Sequence, residues 1–87
     1  MVDRDYFPLQ GGKALRFSVN GPANQKDWVI VPRELLDDEV GDDASQQERE
    51  AWVERNIEQI MEAYTAKKEG RGWVRSPFNQ IAIQEAN

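Results

Sequence analysis

The side chains able to do chemistry in this 87-residue sequence are carboxylates and little else. There are 16 acids against 11 bases, and neither histidine nor cysteine. That excludes imidazole and thiol catalysis, a Ser-His-Asp triad, a disulfide framework and the usual zinc sites. Paired carboxylates can hydrolyse glycosides, but only when two of them flank a deep cleft. A chain this short has little room for one. The sequence therefore reads as non-enzymatic, with no cofactor and no metal.

The acids are unevenly placed. Glu34, Asp37, Asp38, Glu39, Asp42 and Asp43 form one zone. Its spacing does not match the EF-hand loop, which needs a Gly sixth and a Glu twelfth, so the plain reading is a solvated helix and turn. Further along, Glu50, Glu54, Glu58 and Glu62 recur every four residues. On one helix this is a row of like charges about 6 Å apart, weakening the helix by a few tenths of a kcal/mol per pair. Such a row is roughly commensurate with backbone phosphates and suits an acidic decoy for a basic groove on a partner. The plainer alternative is a solvated face rich in a good helix former.

Lys67, Lys68, Arg71, Trp73 and Arg75 interleave bases with an aromatic, as single-strand binders do. Helix-end cations beside a core or edge Trp are the simpler account. Gly70-Arg71-Gly72 follows a helix instead of preceding one, so the helix dipole has the wrong sign for a phosphate loop.

These residues need positioning elements. Residues 1–12 read as an irregular segment punctuated by Pro8 and Gly11-Gly12. Leu15, Phe17 and Val19 alternate with Arg16 and Ser18, which predicts a half-buried strand. Trp28-Val29-Ile30-Val31 predicts a second strand, apolar on both faces and hence central. Pro32 and Glu34 suit a helix start, giving a short helix over 33–39 with Leu35 and Leu36 inward, stopped at Gly41.

Ser45-Gln46-Gln47-Glu48 has capping-box spacing. From there to residue 69 nothing breaks a helix, and Gly70 suits its end. Val53, Ile57, Ile60, Met61 and Tyr64 share an arc of about 100°. Trp52 projects about 110° from that stripe, which makes it a candidate interface anchor, for instance in a homodimer. The simpler alternative packs it on the 42–45 turn or the N-terminal segment. After a turn at Ser76-Pro77-Phe78-Asn79, Ile81 and Ile83 share one face of a last strand. The stretch 73–83 forms either a hairpin or one interrupted strand. The expected fold is a single α+β domain: a small antiparallel sheet in β-β-α-α-β-β order with one long helix on one face.

In its order of elements the chain resembles a family of small bacterial proteins, the domain of unknown function numbered 1488. The resemblance rests on Asp5-Tyr6 before Ala14-Leu15-Arg16-Phe17, and on Trp28-Val29-Ile30-Val31 running into Arg33-Glu34-Leu35-Leu36. Arg55-Asn56-Ile57-Glu58 on the long helix and the Gly-rich turn and strand over 70–83 complete it. The Ser76-Pro77-Phe78-Asn79 insertion departs from the pattern. The resemblance implies a compact bacterial cytosolic domain and no activity.

The N-terminal residues lack an apolar signal core, and no run approaches the ~20 apolar residues of a membrane span. With a net charge of −5, direct binding of nucleic acid or anionic lipid is disfavoured. The expectation is a cytoplasmic protein-interaction domain whose partner is another protein or itself. One alternative is a phage-type, anti-CRISPR-like inhibitor that mimics nucleic acid. Another is a weak nucleic-acid or ligand binder using the 67–75 basic patch.

Overall fold

The computed structural model describes residues 5–21, 25–70 and 73–85. Strand β1 (Phe7–Leu9), β2 (Ala14–Asn20), β3 (Lys26–Val31) and β4 (Ala82–Glu85) form one sheet in the order β1-β2-β3-β4. Every neighbouring pair is antiparallel. Helices α1 (Arg33–Val40), α2 (Gln46–Arg55) and α3 (Ile57–Lys68) lie between β3 and β4 in sequence. The class is α+β. The order is β-β-β-α-α-α-β, which corrects the expected β-β-α-α-β-β arrangement.

Three local departures account for that. The N-terminal segment is not irregular throughout, because Phe7–Leu9 pairs with β2, Phe7 opposite Arg16. Pro8 is tolerated since β1 is an edge strand. At the other end, residues 73–75 are not a strand, and 73–83 is neither a hairpin nor one interrupted strand. A turn and a short 3-10 helix, Phe78–Gln80, lead into the single strand β4.

The third departure is a break in the long helix at Asn56, whose φ of −113° and ψ of 19° are not helical. Its side-chain Nδ2 donates to the Trp52 carbonyl at 2.8 Å. Its backbone N–H is shared between the carbonyls of Trp52 and Val53. Asn competes in this way with the helix's own ladder, so two helices replace one.

Elsewhere local chemistry and structure agree. The Ser45 Oγ accepts from the Glu48 N–H at 3.1 Å, and the Glu48 carboxylate accepts from the Ser45 N–H at 2.9 Å. Those bonds to Ser45, backbone first, hold the Glu48 carboxyl below its ordinary range despite some burial. Gly41 ends α1 at φ +106°, a conformation that L side chains rarely adopt.

The core lies between the three helices and one face of the sheet. Leu15, Phe17, Val29 and Val31 meet Leu35, Leu36, Val53 and Ile60, all fully buried. Each such side chain contributes about 1.5–3 kcal/mol through burial.

Candidate functional site

A groove of about 970 Å³ runs between the outer side of α3 and residues 73–78. Its apolar lining includes Ile57, Met61, Val74 and Phe78, all half-buried. Ile57 and Met61 extend the core stripe of α3, and all four residues pack against the core cluster. The polar lining includes Glu58, Glu62 and Arg75, all exposed. Trp73 also lines the groove and is 78% exposed. An indole left this open on a small domain is a ready contact for another molecule, because Trp is among the residues that anchor interfaces.

No family model matches this sequence, and no curated protein or solved structure matches it.

The structure treats the four Glu residues as two pairs. Glu50 and Glu54 stand on α2, and each has an intramolecular donor. Gln46 Nε2 donates to Glu50 at 2.8 Å, and the Tyr6 hydroxyl donates to Glu54. Glu58 and Glu62 stand on α3 beyond the Asn56 break and face the groove. The even spacing expected of one straight helix is interrupted there.

Trp52 is only 6% exposed and stacks on Phe78, with ring centroids 6.0 Å apart and planes 22° apart. It is a core residue and not an exposed anchor. One partner is Phe78 of the C-terminal 3-10 helix, distant from Trp52 in sequence. Phe78 covers the side of α2 that a single helix wheel leaves to solvent.

The basic patch is also divided. Lys67, Trp73 and Arg75 are exposed, but Lys68 turns inward to an ion pair with the buried Asp27 at 3.3 Å. Arg71 lies outside the described residues.

Two buried polar centres escaped the sequence reading. At the first, Arg49 is fully buried. It donates to the carbonyls of Ala44, Lys13, Gly41 and Asp42 at 3.0–3.2 Å and pairs with the Asp37 carboxylate at 2.9 Å. Burial raises the Asp37 carboxyl, but bonds from Arg49 and Arg33 and their charges outweigh it and hold it below its ordinary range. Part of the acidic 34–43 zone is thus internal architecture instead of solvated charge. The signal was available: Arg49 stands four residues before Val53, on the same apolar stripe.

At the second centre, fully buried Asp27 accepts from the Tyr64 hydroxyl at 2.6 Å and meets Lys68. The Tyr64 bond lowers the Asp27 carboxyl; burial opposes it, and Lys68 adds to the lowering. Burial first, then Asp27, pushes the Tyr64 phenol up to about 12. Here too the signal was alternation, since Asp27 is two residues before Val29 on the core face.

Among the described residues no group of three or more acids is close enough to hold a metal ion. Nor is any helix among them long and apolar enough to cross a membrane.

Proposed function

We propose that this chain is a non-enzymatic, cytoplasmic protein-interaction domain that recognises its partner through the groove beside α3. The carrying observation is Trp73, 78% exposed over an apolar lining. Glu58 and Glu62 on the same groove favour a partner segment with an apolar anchor flanked by basic residues. The family resemblance carries no activity to this chain, so the reading stands on the groove alone.

The nucleic-acid-mimicking inhibitor is a narrower version of the same proposal. It loses support from the break at Asn56 and from the intramolecular donors to Glu50 and Glu54. A homodimer anchored on Trp52 loses support from the burial of that residue.

The test is affinity capture from the source cell with the wild-type chain, Trp73→Ala and Glu58→Lys/Glu62→Lys. A partner held by the wild type should fall away with both variants while their thermal midpoints stay close to the wild type. Equal capture by all three chains would place recognition elsewhere on the molecule.

A further inference from the structure

We propose that the face of the sheet turned away from the helices binds a short stretch of single-stranded nucleic acid, with bases stacked over the half-buried Trp28 and phosphates held by Arg16 and Lys26. This concerns a different surface from the α3 groove and does not depend on it. Cross-strand pairing sets Phe7 opposite Arg16, Arg16 opposite Ile30 and Ile30 opposite Ala82. In the next row Ser18 lies opposite Trp28 and Trp28 opposite Gln84. Side chains alternate between the faces of a sheet. These residues therefore share the face turned away from Leu15, Phe17, Val29 and Val31, and so away from the helices. Phe7, Trp28 and Ile30 neither join the core cluster nor pack against it.

Trp28 is the centre of this face. Phe7 meets it edge-on at 5.4 Å and is itself 43% exposed. The Arg16 guanidinium lies 4.4 Å from the indole centroid, and Lys26 Nζ lies 5.8 Å from it. Neither cation meets a carboxylate among the described residues. Arg16 Nε is buried there without a hydrogen-bond partner among them. The outward strand positions, from Phe7 and Leu9 through Ala14, Arg16, Ser18 and Asn20 to Lys26, Trp28, Ile30, Ala82 and Gln84, include no Asp or Glu.

The net charge of −5 is thus a poor guide to this surface. The acids of the 34–43 zone and of the Glu row belong to the helices and the turn between α1 and α2. Those acids are carried on the helix side of the sheet, and between solvent-exposed charges farther apart than the Debye length of about 8 Å salt screens most of the interaction. Single-stranded nucleic acid is held by aromatic faces, which accept any base, beside cations that track the backbone. Bases also stack on guanidinium planes, so Arg16 over Trp28 extends the platform instead of blocking it. A second copy of the chain fits less well, because a two-fold contact sets each patch against itself and would oppose like cations.

The experiment is fluorescence anisotropy of the full chain with 5′-fluorescein oligouridylate and oligothymidylate, each about eight nucleotides long, to cover the two or three bases that such a sheet accommodates. Saturable binding of either probe is expected, with a log affinity–log salt slope of about −1.4 for two phosphates. Trp28→Ala should weaken binding about tenfold or more. Lys26→Glu, at an exposed position that leaves the core intact, should weaken binding and flatten the slope. Trp73→Ala should bind as the wild type does. The proposal fails if neither probe saturates the wild type, or if Lys26→Glu binds unchanged. It also fails if Trp73→Ala abolishes binding, or if sedimentation shows a dimer that Trp28→Ala dissolves.

Discussion

Two charges are shut away from solvent at opposite ends of the β2–β3 hairpin, and they are buried on different terms. Arg49 arrives with its donors answered by four carbonyls and a carboxylate. Asp27 has one oxygen against Tyr64 and Lys68, while its Oδ1 has no hydrogen-bond partner among the described residues. The first centre ties Lys13 to the turn between α1 and α2 and works as a fastener. The second is a side-chain cluster beside Gly21, in which a tyrosine and a lysine make a buried carboxylate tolerable. A buried charge is costly unless paired and hydrogen-bonded, and the two centres meet that condition to different degrees.

The contrast is sharpest on removal of the better-satisfied partner. Arg49→Ala leaves several carbonyls without a donor and Asp37 with Arg33 alone, and stability should fall by about 3 kcal/mol or more. In a domain of this size that lowers the thermal midpoint by about 12 °C or more. A loss no greater than that of Gly21→Ala or Tyr64→Phe, both at the second centre, would mean that the extra hydrogen bonds add nothing.

Gly21→Ala tests the second centre through its packing. A Cβ there would stand 2.6 Å from the Tyr64 hydroxyl and 2.8 Å from the Asp27 carboxylate. Overpacking of this kind costs about 1–3 kcal/mol, read as a shift in the urea midpoint. An unchanged midpoint would show that the Tyr64–Asp27 contact yields without cost.

The smallest effect should come from Tyr64→Phe, about 1.5 kcal/mol for one hydrogen bond to a charged acceptor. It has a pH signature. The phenol is raised in the fold, from 10.0 to about 12, so its contribution is complete below pH 10 and is lost as pH rises towards 12. Wild-type stability should decline across that window and the variant should decline less. Parallel pH curves would separate Tyr64 from the ionised Asp27.

The sequence made visible what depends on neighbours in the chain. The alternation of Leu15 and Phe17, the Ser45–Glu48 capping box and the stop at Gly41 are all local, and all three appear in the structure. What stayed hidden depends on the other side of the fold. β1 needs β2 as its template, and three residues around Pro8 carry little signal alone. The break at Asn56 comes from one amide choosing the Trp52 carbonyl. Trp52 is covered by Phe78, distant in sequence. The candidate site shows the same division. Glu58, Glu62 and Trp73 were singled out from the sequence, but only the packing of residues 73–78 against α3 joins them along one groove. Arg49 and Asp27 were hidden differently: each continues an apolar stripe by one more step, where a charged residue reads by default as the edge of the stripe.

The carbonyls that Arg49 gathers from Gly41, Asp42 and Ala44 change what the turn between α1 and α2 can tolerate. By composition, Gly41-Asp42-Asp43-Ala44-Ser45 is a loop tip, the kind of place where proteases cut and inserted tags are accepted. Here, opening the turn means pulling carbonyls off a buried cation. Nicking or lengthening this turn therefore threatens the interior, and the most loop-like stretch among the described residues is a poor place for an epitope or a cleavage site.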